Sequence, residues 1–336
     1  MNGFLNEFRT TFQEILNSTN IVITSHKSPD GDSLGSSLSL YHFIKKFNPN
    51  VAICHPDEAP HYFDWITDIS KIKLFETNKD EVIKIIQEAD LIFCLDFNDF
   101  KRLGDDFGDL VQKSDAKKVM IDHHQNPSIN SFISISDTTI ASTSELIFEL
   151  IFQTDNLLAM DTPIAEMLYM GIMTDTGSFR FPSVSSRTHE IISILLKVKI
   201  NHSKIHEKIY DSNSLDKIRL KSYAIVEKLE VLPKYLTGII SLTKKELERF
   251  NYKKGDTEGL VNSILSIENI LVAAIFIEHK DGIKISFRSK GRFFVNELAN
   301  KHFNGGGHKY AAGGFSSEKL EQAVNRFKKL IAKNEK

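Results

Sequence analysis

The chain has 336 residues and is nearly neutral, with 42 Lys and Arg against 44 Asp and Glu and a formal net charge of −2 at pH 7. This length exceeds what one hydrophobic core usually serves and predicts two domains. The charge balance excludes the overall basic field that holds long nucleic-acid duplexes, so any nucleic-acid substrate is expected to be short. The two cysteines, Cys54 and Cys94, lack zinc-knuckle or disulfide spacing and fit a reducing compartment as buried apolar residues.

The N-terminal segment and the apolar runs bear on localisation. Apolar residues between Phe4 and Leu16 recur at helical spacing with no basic stretch before them, which predicts an amphipathic helix rather than a signal peptide. The longest apolar run, residues 270–277, is far shorter than the roughly 20 residues that span a bilayer. We therefore expect a soluble cytoplasmic protein with no membrane partner, and a homodimer is an open alternative to a monomer.

Apolar runs alternate with helical periods through the first half of the chain. Strands are predicted at 21–24, 51–54, 91–95 and 119–121, and helices at 33–47, 79–87, 142–152 and 163–173. Strands that alternate with helices predict a parallel sheet with right-handed crossovers. Ligands of such sheets gather beyond the carboxyl ends of the strands, so the loops at those ends are where a site is expected.

The second half of the chain has a different pattern. Residues 190–231 look helical and rich in charge, and strands at 238–242, 271–277 and 283–288 then alternate with helices at 244–250, 259–265 and 318–332. The predicted fold is therefore α/β. A parallel-sheet catalytic domain (1–190) is joined by a helical connector (191–231) to a smaller α/β substrate domain (232–336).

Ionisable residues stand where the apolar runs of the first half end. His26, Asp30 and Asp32 share one strand-to-helix turn, Asp96 and Asp122-His123-His124 follow later strands, and Asp175 stands at a predicted helix end. Mixed imidazole and carboxylate ligands without thiolate favour Mn²⁺ or a similar divalent ion over a cysteine-rich zinc site. Residues of these types at successive strand ends are typical of a two-metal phosphoesterase centre.

Each group has a simpler explanation when it is taken alone. Asp32 could cap the helix that follows, and an aspartate after a strand or helix is an ordinary turn or stop signal. An EF-hand starting at Asp30 is excluded, because its twelfth position is Tyr41 rather than glutamate. Neighbours in an extended chain point to opposite sides, so at most one of His123 and His124 is a natural metal ligand.

Four motifs, His-x-x-x-Asp-x-Asp, an isolated Asp, Asp-His-His and a final Asp, occur in the order found in the DHH phosphoesterases, which the chain resembles. The resemblance implies two Mn²⁺ ions bridged by Asp96. It assigns His26, Asp30 and Asp96 to one ion, and Asp32, Asp96, His123 and Asp175 to the other. It also implies that His124 contacts the scissile phosphate, that Asp122 braces the site, and that metal-bound hydroxide attacks phosphorus.

A glycine-rich segment and a strand-ending arginine mark the C-terminal domain. Three consecutive glycines, at 305–307, favour close approach of the backbone to a ligand or a turn with positive φ. Their amides could cradle an anion at a helix N-terminus. Arg288 could bind phosphate with two hydrogen bonds, although a single arginine is more often a surface charge. Both features resemble the DHHA1 domain, and Asn304 stands where many relatives carry a further glycine. The resemblance implies that the nucleotide end of the substrate is bound by Arg288, Ser289, Gly305, Gly306, Gly307 and His308.

Over nearly the whole chain the resemblance is to the bacterial branch of the family that degrades short oligoribonucleotides and dephosphorylates 3′-phosphoadenosine 5′-phosphate. We therefore expect a Mn²⁺-dependent phosphoesterase that degrades short oligoribonucleotides to mononucleotides. A phosphodiesterase for cyclic di-AMP or its linear dinucleotide product is an alternative from the same branch. A family pyrophosphatase is disfavoured by the glycine segment, and a non-catalytic nucleic-acid binder would not need the metal residues.

Overall fold

The computed structural model describes residues 3–333 and divides into two compact units, one ending at Asp211 and the other beginning at Ser212. The predicted connector, 191–231, spans this division. The outer limits of the predicted domains, residues 1 and 336, lie outside the described residues. Within residues 3–333 no helix is both long enough and apolar enough to cross a bilayer.

The first unit is built on a parallel sheet, as predicted. In the described part of the unit the sheet has six strands, in the spatial order β3-β2-β1-β4-β5-β6 with every neighbouring pair parallel. The four predicted strands are present, and the two that the sequence pattern missed, β3 and β6, are only three and four residues long. The strands are β1 (Ile21–Ser25), β2 (Val51–His55), β3 (Ile72–Leu74), β4 (Leu91–Leu95), β5 (Lys117–Asp122) and β6 (Ile133–Ser136).

Helices cover both faces of this sheet. Successive residues of a strand point to opposite faces of the sheet, and in β4 both sets are apolar. Leu91, Phe93 and Leu95 belong to one apolar core, and Ile92 and Cys94 belong to another. Cys54 and Cys94 are free and buried, as expected. The helices are α1 (Leu5–Asn17), α2 (Gly31–Lys45), α3 (Lys79–Glu88), α4 (Asp105–Lys113), α5 (Thr143–Gln153), α6 (Thr162–Asp175), α7 (Ser186–Lys197) and α8 (His202–His206), with a π-helical turn at Glu207–Asp211 and 3₁₀ turns at His61–Phe63, Ile69–Lys71, Phe100–Leu103 and Leu157–Ala159.

Glycines allow α2 and α6 to approach each other closely. A Cβ atom on Gly35 of α2 would lie 2.6 Å from the carbonyl oxygen of Met167 and 2.9 Å from the backbone of Gly171 in α6. A Cβ on Gly31 would lie 2.2 Å from Oγ1 of Thr174. Real Cβ atoms do not approach other atoms so closely, so only glycine fits here. The start of α2 and the end of α6, which carry predicted metal ligands, are therefore held together.

The second unit contains a mixed sheet. Its strand order in the described residues is β11-β12-β10-β9-β8-β7, and every pair is antiparallel except β8 with β9. An apolar core lies on each face, one with α12 and α13 and the other with α9 to α11. The elements are α9 (Leu215–Glu227), β7 (Leu229–Leu232), a 3₁₀ turn (Pro233–Tyr235), β8 (Thr237–Leu242), α10 (Lys244–Arg249), α11 (Leu260–Leu265), β9 (Val272–His279), β10 (Gly282–Ser289), α12 (Val295–His302), β11 (Gly306–His308), β12 (Ala311–Ser316) and α13 (Leu320–Lys333).

Two local predictions for this unit are wrong. The helical stretch predicted to reach residue 231 ends earlier, because residues 229–232 form β7 and pair with β8. The glycine segment does not stand at a helix N-terminus, since residues 306–308 form the edge strand β11 against β12 and α13 begins at Leu320. Both errors have one cause. In each case, antiparallel pairing with the strand that follows in the chain overrides the local preference of a short segment.

Candidate functional site

The predicted metal residues of the first unit meet at the carboxyl edge of its sheet. The chain moves outward in one direction from β1 through β2 to β3 and in the other from β4 through β5 to β6, so the strand order reverses between β1 and β4. Open parallel sheets bind ligands in the crevice at such a reversal. His26 directly follows β1, Asp96 directly follows β4, and Asp122 is the last residue of β5.

The turn between β1 and α2 presents His26 and Asp30. His26 is buried, and its Nδ1 donates a hydrogen bond to the carbonyl oxygen of Lys27 at 2.9 Å. This leaves the lone pair of the neutral ring on Nε2, which lies 3.3 Å from Oδ2 of Asp96 and 3.8 Å from Oδ2 of Asp30. Asp30 is the N-cap of α2, with Oδ1 accepting from the amides of Asp32 and Ser33 at 3.0 Å each. Asp30 therefore caps the helix with one oxygen and faces His26 with the other.

Asp96 stands at the centre of the cluster. Its backbone adopts φ of +62°, a left-handed conformation that aspartate tolerates better than most residues, and its side chain is 2% exposed. Oδ2 faces His26, whereas Oδ1 lies 3.5 Å from Nε2 of His123 and 3.7 Å from Nδ1 of His124. One carboxylate thus presents its two oxygens to two different sets of residues, as a bridging ligand must.

His123 brings two further carboxylates to the cluster. Its Nε2 lies 3.5 Å from Oδ2 of Asp175, the last residue of α6, and 3.9 Å from Oδ2 of Asp32. Its Nδ1 lies 3.3 Å from the carbonyl oxygen of Ile140, which can only accept, so the Nε2 lone pair faces the carboxylates in the neutral ring. Among the neighbours His123 and His124, the first is buried among three carboxylates and the second is half-buried.

Asp122 orients His124. It is completely buried and accepts two hydrogen bonds from His124, one from the backbone amide at 2.9 Å and one from Nδ1 at 2.7 Å. The hydrogen bond to Nδ1 fixes the tautomer and turns Nε2 away from Asp122. Asp122 thereby determines how the His124 ring is presented at the sheet edge.

The crowding of carboxylates shifts the pKa values of the cluster. Burial, with the nearby charges of Asp96 and Asp175, raises the pKa of Asp32 well above its usual value. Burial opposes ionisation of Asp96 too, but hydrogen bonds from the protonated rings of His123 and His26 outweigh it and hold its pKa well below the usual value. Burial lowers the pKa of His123, yet Asp96, Asp175 and Asp32 together raise it well above its usual value. Carboxylates packed this closely in a buried site favour a compensating cation.

The donor atoms fit divalent metal ions. His26, Asp30 and Asp96 form one group whose ligand atoms all lie within 4.8 Å of one another, and Asp32, Asp96 and His123 form a second. The two groups share Asp96, and Asp175 adjoins the second through His123. Imidazole nitrogen with carboxylate oxygen is a donor set suited to Mn²⁺ and related ions.

The predicted substrate residues of the second unit lie on or next to β10 and β11, the two strands that flank β12. Arg288 on β10 and His308 on β11 both pair with Ala311 of β12, so they belong to one transverse row of the sheet. Gly306 is exposed, and a Cβ there would meet no atom within 4 Å. Ser289 is buried and its hydroxyl donates to the carbonyl oxygen of Phe293, a contact within the unit.

The other two glycines are required by the fold itself. A Cβ on Gly305 would lie 2.0 Å from the carbonyl oxygen of Gly313, and Gly307 has φ of +136° with a Cβ position 2.6 Å from Ala311 O. Asn304 takes φ of +43°, which asparagine tolerates, so its substitution for glycine fits the backbone. Of the three glycines, Gly306 alone has open space at the position of a Cβ atom.

Sequence reasoning missed three residues beside the cluster of predicted metal ligands. The amides of Thr143 and Ser144, at the start of α5, donate to Asp32, and no local pattern could reveal this because Asp32 lies 111 and 112 residues away along the chain. Arg102 lies in the 3₁₀ turn after β4, its carbonyl oxygen accepts from the amide of Lys27, and its charge acts on both His26 and His124. For Arg102, the one signal available in the sequence was a basic residue shortly after a strand that ends at the site.

Comparisons with known proteins show which family this chain resembles. Residues 20–172 match the family described as "DHH family, N-terminal domain", and residues 233–333 match the "DHHA1 domain". The "Probable bifunctional oligoribonuclease and PAP phosphatase NrnA" of Streptococcus mutans is 30% identical over 96% of this chain and 99% of its own. The "Bifunctional oligoribonuclease and PAP phosphatase NrnA" of Bacillus subtilis is 28% identical, over 87% and 88%. The crystal structure of an exopolyphosphatase-related protein from Bacteroides fragilis is 40% identical, with a TM-score of 0.93 over 98% and 96% of the two chains.

Proposed function

Because this chain belongs to the DHH family of phosphoesterases and carries a DHHA1 domain, we propose that it degrades short oligoribonucleotides to mononucleotides and dephosphorylates 3′-phosphoadenosine 5′-phosphate with two Mn²⁺ ions. The observation that carries the proposal is the pair of ligand groups that share Asp96 at the reversal point of the sheet. The names of the relatives from Streptococcus mutans and Bacillus subtilis support this choice of substrates.

The metal ligands follow from the two groups. His26, Asp30 and Asp96 would hold one ion, and the other would be held by Asp32, Asp96, His123 and Asp175. This assignment is supported by the convergence of the ligand atoms on Asp96 and by the pKa shifts that the buried carboxylates produce. When bound, two such ions acidify a water molecule and neutralise charge on the phosphate.

The chain itself supplies a proton donor beside the metal ligands. We assign this role to His124, whose Nδ1 is held by Asp122 so that Nε2 is the ring atom that meets a phosphate oxygen. The Asp122 carboxylate stabilises the protonated ring, which can then donate to the phosphate or to the leaving oxygen. Asp122 acts through His124 and does not itself meet the substrate.

The second unit would bind the nucleotide end of the substrate. Arg288 and His308 share one row of the mixed sheet, where a guanidinium and an imidazole can both donate to a phosphate or a sugar hydroxyl. The absence of a side chain at Gly306 lets a ligand approach the backbone of β11. A long nucleic acid is held by many contacts between basic side chains and phosphates, which a chain with a net charge of −2 is poorly suited to make. The charge therefore favours a short substrate.

The proposal is tested by the hydrolysis of a short RNA ladder, 3′-phosphoadenosine 5′-phosphate, cyclic di-AMP, a linear dinucleotide, pyrophosphate and polyphosphate, each with and without Mn²⁺. We expect stepwise shortening of the RNA and release of phosphate from the adenosine bisphosphate, both dependent on Mn²⁺. Turnover of cyclic di-AMP without attack on RNA would replace the proposed substrate, and cleavage of pyrophosphate alone would contradict the role of the second unit.

A histidine pair provides the matched control. His123→Ala removes a predicted ligand, and we expect Mn²⁺-dependent hydrolysis to fall at least about 100-fold, since loss of one metal ligand disrupts the site. His189→Ala removes an exposed histidine of α7 and should retain wild-type turnover. If His123→Ala kept its Mn²⁺-dependent activity, the proposed metal centre would be wrong.

A further inference from the structure

The turn that leads into α5 contacts three of the predicted ligands at once. The amide of Thr143 donates to Oδ2 of Asp32 at 2.6 Å, and the amide of Ser144 donates to Oδ1 of the same carboxylate at 2.9 Å. The hydroxyl of Thr143 donates to Oδ1 of Asp96 at 3.1 Å. Just before it in the chain, the carbonyl oxygen of Ile140 lies 3.3 Å from Nδ1 of His123.

These contacts reach residues from three separate motifs. Asp32 belongs to the turn after β1, Asp96 follows β4 and His123 follows β5, and together they form the second ligand group. Thr143 contacts two of the three, and its side chain is completely buried. A segment that contacts ligands from three strand ends can fix their relative positions better than any one strand can.

The turn is itself built to hold these donors in place. The side chain of Ser142, the N-cap of α5, accepts from the amide of Glu145, so the amides of Thr143 and Ser144 are left for Asp32. Oε2 of Glu145 accepts from the amide of Ala141 and braces the turn from the other side. Amides at a helix start lack partners within the helix, and a carboxylate is a favourable acceptor for them.

We propose that Thr143 is a positioning residue of the metal centre, which holds the carboxylates of Asp32 and Asp96 together in the orientation that binds the ion. This inference rests on the proposed function, because it takes Asp32 and Asp96 as metal ligands. Two buried carboxylates repel each other, and a hydrogen-bond donor between them offsets part of that repulsion. Each carboxylate oxygen has two lone pairs, so an oxygen that accepts from Thr143 can still bind a metal ion.

The test is a titration of the metal-free protein with Mn²⁺, followed by the electron paramagnetic resonance signal of free Mn²⁺. Thr143→Val keeps the shape of the side chain and the backbone amide and removes only the hydroxyl. Partners that orient metal ligands usually contribute 10- to 100-fold to metal affinity, so we expect Mn²⁺ to bind about 10- to 100-fold more weakly. Thr143→Ser restores the hydroxyl and should recover most of the lost affinity.

Two further variants sharpen the test. Thr143→Pro removes the amide hydrogen as well, at the first helical position, where proline is compatible with a helix, and we expect a larger loss than with valine. Thr154→Val is the matched control at the other end of α5, where the hydroxyl donates to Leu150, and should bind Mn²⁺ like the wild type. The thermal unfolding midpoint of each metal-free variant separates loss of folding from loss of positioning.

The outcomes separate this inference from the proposed function. A folded Thr143→Val variant with wild-type Mn²⁺ affinity would overturn the positioning role, even if the wild type hydrolyses RNA as proposed. Equal losses in Thr143→Ser and Thr143→Val would also overturn it, because the hydroxyl would then not matter. If the wild type binds Mn²⁺ but hydrolyses none of the substrates, the proposed function fails while the graded affinities still support the positioning role.

Discussion

Replacing Asp122 with asparagine tests how the site controls the proton on His124. The carboxylate accepts from both the amide and the Nδ1 of His124. Asparagine has the same shape but only one acceptor oxygen, so one of the two donors would face an amide NH₂ group instead. The variant also carries no charge to stabilise a protonated ring. Asp122→Asn should therefore leave the fold intact while it weakens the protonated form of His124.

The size of the effect follows from the contact that is lost. A hydrogen bond to a charged group contributes about 1.5–3 kcal/mol, and 1.36 kcal/mol corresponds to one pKa unit, so we expect the pKa of His124 to fall by about 1–2 units. Burial already lowers this pKa, and Asp122 is the largest opposing influence. Because the protonated ring is the active form, hydrolysis should be lost at a pH about 1–2 units lower than in the wild type. At a pH above both pKa values the rate should be about 10- to 100-fold lower than in the wild type.

The assay is kcat/KM for a dinucleotide between about pH 4 and 9 at saturating Mn²⁺, which reports the ionisations of the free enzyme. Asp137→Asn is the control, since its carboxylate accepts from Thr139 in the loop after β6 and makes no described contact with His124. Its pH profile should coincide with that of the wild type. If the Asp122→Asn profile had the wild-type shape and height, His124 would not be the proton donor and the reasoning would be refuted.

Three further predictions concern packing and charge. Gly171→Ala would place a Cβ 2.0 Å from Oγ of Ser144. Overpacking costs about 1–3 kcal/mol and alanine stabilises a helix by about 0.5–1 kcal/mol relative to glycine, so denaturant unfolding should show a net loss of up to about 2.5 kcal/mol, and a net gain in stability would contradict this. Gly306→Ala adds a methyl group in open space, so it should unfold like the wild type but raise KM for a dinucleotide. Gly305→Ala adds a methyl group against the backbone of Gly313 and should lower the denaturant midpoint of unfolding. Equal midpoints for the two variants would refute the packing argument. Although burial opposes its ionisation, Glu246 has a pKa lowered to about 2 by hydrogen bonds, so it stabilises the fold above its ordinary pKa and loses this effect as the pH falls towards 2. Glu246→Gln should cost about 1–2 kcal/mol at pH 7 and flatten the pH dependence of unfolding in that range, and an unchanged profile would count against it.

The strands and helices that carry the site were predictable because their signals are local. The apolar run 91–95 is β4 residue for residue, and Asp175 ends a helix as expected. Shorter elements such as β3 and β6 were missed, since three or four residues show no period. The edge strand β11 was taken for a loop because glycines carry no strand signal, and it forms only through its pairing with β12.

For the site residues too, what depends on local sequence was predictable and what depends on contacts between distant segments was not. The residue types and their order along the chain gave the predicted ligands and the family resemblance. The sequence did not reveal that Asp30 rather than Asp32 caps α2, or that Asp32 is instead held by two amides of α5. It also grouped Ser289 with Arg288, although the hydroxyl of Ser289 is used within its own unit.

The sequence by itself therefore determined which chemical groups stand at the strand ends, because strand length, helical period and turn residues act over a few neighbouring positions. The tertiary structure alone decided which of those groups face one another and what holds them there. Thr143 meets Asp32 and Asp96 across 111 and 47 residues of chain. Such contacts depend on how α2, α5 and the sheet pack, and side chains distant in sequence become neighbours only when the core between them has formed.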